Sequence, residues 1–370
     1  MEFYDSYRTC DCMRSQKTKS IWRSIGVLAA IMVLCTGVGA ALAPEEPAGQ
    51  TLLNEDGTLT ITVPEDAGHT IPIDSYPDRI VSLAPSNTEL LFAIGAGDRL
   101  VAVADQSDYP AEAHAIPTVG GYRTVSLEKV VAAKPDLVVA TSGNSGELIE
   151  RLRRLGFEVV VIEPETMDGI LDDILLLGRL TGNTAEAKLL TTNLDKRIQA
   201  VTDTVADRLE TPSVAHIVWH DPVWVSGDKT FQHEVITRAG GTNAFESFEE
   251  WEIIGLEEFV IANPDYILVN SGTGMDKDDY DIIYEYVMNE PRFQRMNAVK
   301  QKRVIIVDAD TISRGGPRIV DALEEVADVI HPDLFTSTDR KRVPVESSPA
   351  GMVLPLLALI MAAVLAWKRT

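Results

Sequence analysis

Residues 125–140 read VSLEKVVAAKPDLVVA, and residues 254–269 read IGLEEFVIANPDYILV. Set side by side, Leu127-Glu128 falls on Leu256-Glu257, Ala133 on Ala262 and Pro135-Asp136 on Pro264-Asp265. Each copy reads as a helix N-terminus, a short helix, a Pro-Asp turn and a buried apolar strand. A fixed short period would mark a solenoid, whereas two widely separated copies point to two similar lobes. Each glutamate stands in the first turn of its helix, where the positive end of the helix dipole favours a carboxylate. Helix capping alone is therefore a sufficient reading of Glu128 and Glu257 from these residues.

Around the two blocks, strand and helix patterns alternate. Residues 58–73, TLTITVPEDAGHTIPI, alternate apolar and polar about Glu65-Asp66-Ala67-Gly68, a hairpin signal. Arg79–Leu83 reads as a short buried strand. Ser86-Asn87-Thr88-Glu89 has capping-box spacing, with Ser86 as N-cap and Glu89 at N3 of the helix that follows. Strands are predicted at 100–104, 137–140 and 158–162, and helices at 126–134, 146–155 and 167–180. Asn183-Thr184-Ala185-Glu186 repeats the cap spacing, and a single helical pattern without Gly or Pro runs from it to about 209. The alternation then restarts, with strands 214–219, 266–269 and 303–307 and helices 231–239, 256–262, 279–288 and 317–330. The expected fold is α/β. Two lobes with central parallel-type sheets, 58–182 and 211–334, are joined by one long helix over 183–210.

The chain of 370 residues suits two compact cores, and its 45% hydrophobic content is that of a globular protein. The net charge of −23 argues against a nucleic-acid partner, which needs a basic face. It fits a strongly hydrated surface working in high salt, or simply an acidic soluble protein. Cys10, Cys12 and Cys35 all precede residue 44, so the lobes hold neither disulfide nor thiolate metal site.

Both ends point at a membrane. Arg8, Arg14, Lys17, Lys19 and Arg23 precede an apolar run that ends Ala41-Leu42-Ala43, the form of a secretion signal over 1–43. An uncleaved signal anchor is the alternative. Residues 44–57 read as a tether, and 335–350 as a polar linker. The run GMVLPLLALIMAAVLAW (351–367), followed by Lys368-Arg369-Thr370, is slightly under the ~20 apolar residues of a spanning helix. Its terminal Lys-Arg pair belongs in the cytoplasm. This tail resembles archaeal C-terminal sorting signals that are exchanged for a lipid, with Pro349-Ala350-Gly351-Met352 where those carry Pro-Gly-Phe. A plain C-terminal anchor is the other reading.

Enzyme signals are weak. There is no G-x-S-x-G elbow, no H-E-x-x-H and no G-x-G-x-x-G after a strand. Ser226-Gly227-Asp228-Lys229-Thr230 lacks the Gly-Lys-Thr core and upstream glycine of a phosphate loop. His216 and His220 share a face if their strand runs that far, and His233 and Asp221 lie near in sequence. Their spacing is no known ligand motif, so no metal is expected. Aromatics carry more. Trp219, Trp224 and Trp251 crowd the second lobe. Tyr122 stands six residues before Glu128 and Trp251 six before Glu257, each expected on the loop leading into its helix. Flat side chains on two facing walls suit a large, flat, partly apolar ligand, and burial in each lobe's core is the bland alternative. The loop Arg314-Gly315-Gly316-Pro317-Arg318 allows close backbone approach, with Arg314 placed for a polar ligand edge.

Together RIVSLAPSNTELLFAIGAGDRLVAV (79–103), SDYP (107–110), the duplicated block and RGGPRI (314–319) make the chain resemble the substrate-binding proteins of cobalamin and siderophore ABC importers. The resemblance spans roughly residues 58–333. It implies two lobes joined by a rigid helix, with a ligand cleft between them that closes only slightly. It implies that Glu128 and Glu257, one at each lobe tip, pair with arginines of a permease dimer that works with ATPase subunits. It also implies no enzymatic step and no cofactor. Within the family the chain is most similar to the cobalamin binders, whose cleft aromatics correspond to Tyr122 and Trp251 and whose late arginine corresponds to Arg314. Gln106 and Thr141 stand where those binders carry further aromatics. The expected ligand set is Tyr122, Trp251, Arg314, Trp219, Trp224 and Gln106, with a corrinoid as ligand. A ferric siderophore or haem is the alternative, then a surface enzyme or a solute sensor without a transporter.

Overall fold

The structure, a computed structural model, describes residues 51–53, 59–63, 66, 69–208, 210–271 and 281–335. The segments read as signal peptide (1–43) and C-terminal apolar run (351–370), most of the tether and nearly all of the linker lie outside the described residues. Among the described residues no helix is long and apolar enough to cross a membrane.

Three antiparallel strands open the fold: β1 (Thr51–Leu53), β2 (Leu59–Val63) and β3 (His69–Ile73). The last two are the predicted hairpin, and β1 lies within the segment read as a tether. Strand alternation puts Ile61, Val63 and Ile71 on one face, where all three are buried.

The first lobe follows as β4 (Ile80–Ser82), α1 (Pro85–Ala93), β5 (Leu100–Ala102), α2 (Leu127–Ala133), β6 (Leu137–Ala140), α3 (Gly146–Arg154), β7 (Val159–Val161) and α4 (Met167–Thr181). Its sheet has the order β5-β4-β6-β7, with every pair parallel. β6 (LVVA) is buried along its whole length, as a parallel strand covered on both faces must be. Ser86 does not cap α1. Pro85 is the first helical residue, Ala84 holds the cap position, and no side-chain cap forms. Glu89 is thereby left buried for another role.

The linking helix α5 (Thr184–Val205) buries Ala187, Thr191, Leu194, Ile198, Val201 and Val205, a stripe spaced three and four residues apart. Asn183 makes no cap bond; its side-chain oxygen accepts from the Arg99 guanidinium instead. α5 packs on α4 and on residues 319–330 of the second lobe. There Arg197 donates to Asp321 at 2.5 Å and to Glu324 at 2.7 and 2.8 Å.

The second lobe comprises β8 (Ser213–His220), β9 (Val223–Ser226), α6 (Phe231–Arg238), β10 (Thr242–Asn243), β11 (Trp251–Ile254), α7 (Leu256–Ala262), β12 (Tyr266–Ser271), α8 (Ile282–Asn289), α9 (Asn297–Lys300), β13 (Val304–Asp308), α10 (Ala309–Ser313) and α11 (Ile319–Ile330). Its sheet runs β11-β9-β8-β12-β13, with β10 beside β8. The centre is parallel, but β9 and β11 are antiparallel. The tight return after β8 imposes this, because a parallel pair needs a long crossover. One apolar core runs from Ile80 and Leu90 through α4 and α5 to Val214, Val235 and Leu323, so the lobes share packing.

The duplicated blocks are equivalent in space. α2 and α7 each end in a left-handed residue before proline, Lys134 (φ 49°) and Asn263 (φ 42°). The Pro-Asp aspartate then takes backbone N–H groups just before or at the start of its lobe's first sheet strand. Asp136 accepts from Asp78 (3.0 Å) and Arg79 (2.9 Å), and Asp265 from Ser213 (3.0 Å). In return Asp136 N–H donates to Arg79 O and Asp265 N–H to Ser213 O. The repeat is a register lock that fixes β6 beside β4 and β12 beside β8.

Candidate functional site at the facing strand ends

In an open parallel sheet ligands bind outside the carboxyl ends of the strands. The two carboxyl edges face each other here. Glu89 and Asp108 follow β4 and β5, Arg314 and Arg318 follow β13, and the four meet. Arg318 donates to both Glu89 oxygens at 2.6 and 2.9 Å, and its guanidinium lies 4.1 Å from the ring centre of Tyr109. Arg314 donates to Glu89 (3.1 Å) and Asp108 (2.8 Å) and pairs with Asp310 (2.8 Å). The carboxylates respond differently. Burial works to raise Asp108, but the hydrogen bond and charge of Arg314 outweigh it and hold that carboxyl low. Asp310 is pushed up, chiefly by burial, against the pull of Arg314. A second contact joins the lobes where Glu234 accepts the Met167 N–H at 2.7 Å and Arg238 pairs with both Glu234 and Asp168 at 2.8 Å. Arg314 thus sits in an interlobe ion cluster.

On the first lobe, Tyr122 lies in the loop between β5 and α2. Asn144, almost wholly buried, donates to Tyr122 O (2.6 Å) and Leu83 O (3.1 Å), and its oxygen accepts from Thr141 N (2.9 Å). One side chain therefore ties together the loops after β4, β5 and β6. Gln106, exposed, lies beside Gly121 next to Tyr122. Glu163, after β7, accepts from the Thr141 hydroxyl and from Ser142 N (2.9 Å).

The second-lobe aromatics are arranged by strand register. Trp219 pairs with Trp224, Trp224 with Ile253, and Trp251 with Ser226. Directly opposed residues share a face, so Trp219, Trp224, Ile253 and Trp251 form one apolar face, with Trp251 39% exposed. Trp251 lies on strand β11 and not on the loop predicted for it, because Val223–Ser226 offers a partner strand that the sequence pattern did not reveal. A bulge in β8 between Ile217 and Trp219 brings Trp219 to this face.

The same bulge separates the histidines. His216 falls opposite the position of Ser226, and His220 pairs with Val223 on the other face, so the two do not share a side as predicted. His216 is fully buried: Nε2–H donates to Asn270 Oδ1 (2.7 Å), leaving Nδ1 to accept from the Ser226 hydroxyl (2.8 Å). Burial lowers it to about 4, against the opposing Asn270 bond. His220 contacts the rings of Trp219 and Tyr286. His233 lies 3.5 Å from Asp228. Among the described residues no group of three His, Cys, Asp or Glu is placed to hold a metal.

Both duplicated glutamates are exposed on the first turns of α2 and α7. Glu128 accepts from the Ser126 hydroxyl (3.0 Å) at the edge of an open depression of about 280 Å³ lined also by Arg123, Glu147 and Arg151. Its own backbone N–H, then Ser126, hold its carboxyl below the usual range. Glu257 instead faces Arg292 at 3.4 Å.

Sequence reading missed Glu89, Asp108, Arg318 and Asn144. Pro85 was the available signal for Glu89, since a proline at the first helical position moves the cap upstream and frees the glutamate. Asp108 and Arg318 lie within SDYP and RGGPRI, but neither motif shows that the two belong to one ion cluster, and Asn144 carried no local pattern.

The family model described as periplasmic binding protein matches residues 80–311. An uncharacterised ABC transporter substrate-binding lipoprotein of Bacillus subtilis, YvrC, is 30% identical over 86% of this chain and 99% of its own length. The vitamin B12-binding protein of Photorhabdus laumondii is 29% identical over 68% of this chain and 86% of that protein. Among solved structures, the periplasmic heme-binding protein RhuT of Roseiflexus matches with a TM-score of 0.63 and 25% identity, covering 70% of this chain and 99% of that one. With its two α/β lobes, linking helix and facing strand ends, the chain belongs to the periplasmic binding protein family.

Proposed function

We propose that this protein is the substrate-binding component of an ABC importer and that it captures a corrinoid between its lobes. It works on the outer face of the cytoplasmic membrane and hands the ligand to a permease dimer with ATPase subunits. Binding makes and breaks no covalent bond. Tyr122 and the face formed by Trp219, Trp224 and Trp251 stack on the flat macrocycle. Gln106 meets its amide rim, and Arg314 meets a polar edge by exchanging one of its carboxylate partners. Delivery runs through Glu128 and Glu257, which register the complex by charge-assisted bonds to permease arginines.

The observation that carries the ligand class is the ion cluster between the lobes. Arg314 and Arg318 share three carboxylates, Glu89, Asp108 and Asp310, so acceptors outnumber cations. A corrin edge rich in primary amides donates hydrogen bonds to such a wall, whereas the propionates of haem bring further negative charge to it. The likeness to a haem-binding structure keeps haem as the second reading.

Titration calorimetry of the purified protein with cyanocobalamin and with hemin decides between them. One-to-one binding of cyanocobalamin, with hemin weaker, is expected. Tight hemin binding without cyanocobalamin binding replaces the corrinoid with haem, and silence with both overturns the ligand class.

A further inference from the structure

Gly143 is a third element of the first-lobe wall, and the function of the site as read above does not account for it. It stands in the turn Thr141–Asn144, closed by Asn144 N–H to Thr141 O at 3.0 Å. A Cβ built on Gly143 would lie 2.8 Å from Cε2 and 3.4 Å from Cδ2 of Tyr122. Cβ contacts of that kind are essentially never seen at 2.8 Å, so the ring would have to shift. The residue is tethered at its backbone, where Asn144 donates to the Tyr122 carbonyl at 2.6 Å. At the ring tip the Tyr122 hydroxyl accepts from Arg123 Nε at 2.9 Å, with the guanidinium 5.4 Å from the ring centre. Gly143 has no left-handed φ, so backbone conformation does not demand glycine here. What excludes a side chain is the ring of Tyr122.

We infer that Gly143 is a positioning residue for ligand binding: its bare backbone seats the ring of Tyr122, and with Asn144 it fixes the height of the stacking surface in the cleft. This inference rests on the corrinoid-binding reading above, in which Tyr122 touches the ligand. A fixed ring loses little freedom when the ligand arrives, which is how a preorganised wall gains affinity. A ring lifted by even one methyl group narrows the cleft and tilts the stacking plane.

Gly143→Ala is the decisive variant, because its two readouts separate. The gain that alanine brings through the unfolded chain is offset by displacement of the ring, so the unfolding midpoint is expected to stay near that of the wild type. Affinity for cyanocobalamin, read by calorimetry on the whole protein, falls about tenfold, the scale of a misplaced aromatic contact. In a Tyr122→Ala background the same substitution leaves affinity unchanged, since there is no ring to displace. If Gly143→Ala binds as wild type does while Tyr122→Ala is weakened, the positioning role is overturned and the ligand reading survives. If Tyr122→Ala binds as wild type does, the assignment of Tyr122 to the ligand wall fails, and the positioning role with it. A ligand-free measurement tests the seating directly. The ring current of Tyr122, whose edge meets Gly143, displaces the Gly143 α-proton resonances in the NMR spectrum, and Tyr122→Leu returns them. α-Protons that do not move on that substitution overturn the seating.

Discussion

Glu89 and Arg318 join the lobes through two hydrogen bonds of 2.6 and 2.9 Å, and the Glu89 side chain is only 2% exposed. Arg314 adds a third bond to the same carboxylate at 3.1 Å. Removing Glu89 strands two arginines that retain little exposure. Glu89→Ala is expected to cost about 2–3 kcal/mol, at or below the low end of the roughly 3–5 kcal/mol for breaking a fully buried pair, because both arginines keep some water and other partners. Denaturant unfolding measures it. A loss under about 0.5 kcal/mol would mean that the cluster does not bind the lobes together.

Stacking should be separable from folding. Trp251 is partly exposed and lies on an edge strand, so Trp251→Ala is expected to leave the unfolding midpoint nearly unchanged while weakening cyanocobalamin binding about tenfold or more. Calorimetry and thermal unfolding on the same preparation check it.

His216 gives the fold an acid limit. Its folded-state value of about 4 lies below that of an unfolded histidine, so below pH 6.5 the unfolded chain binds the extra proton. Stability present above pH 6.5 is therefore lost as pH falls, by up to about 3 kcal/mol at pH 4. His216→Gln should flatten that part of the stability–pH curve. An unchanged slope would place the acid sensitivity elsewhere.

The two duplicated glutamates differ in their surroundings despite their matching sequence. Glu128 is oriented by Ser126, whereas Glu257 already faces Arg292. Glu128→Arg combined with Glu257→Arg is expected to cut permease-dependent uptake more than tenfold with ligand affinity intact, since a charge reversal against an arginine socket costs a few kcal/mol. Loss of affinity in the double variant would remove the docking role. Arg292→Ala frees Glu257 and should leave uptake the same or raise it, as exposed pairs are weak.

The Pro-Asp lock is testable in each lobe. Asp136→Ala removes the acceptor for two backbone N–H groups and Asp265→Ala the acceptor for one. Losses of about 1–2 and about 1 kcal/mol follow, read by denaturant unfolding.

Local pattern decided much of this protein. Leu137–Ala140 is a four-residue apolar run and forms the strand predicted for it, and Leu256–Ala262 is the helix predicted for it, because burial period and helix termini act within a few residues. The duplication of LExxxxxxPD announced two lobes. Tertiary structure decided the rest. β9 and β11 had to find each other before Trp251 became a strand residue, and one extra residue at Val218 sent His216 and His220 to opposite faces. The site's polar chemistry lies beyond local reading altogether. Glu89 meets Arg318 across 229 residues and Arg314 across 225, so their charges have meaning only where the chain returns, after the linking helix has set one lobe's strand ends against the other's.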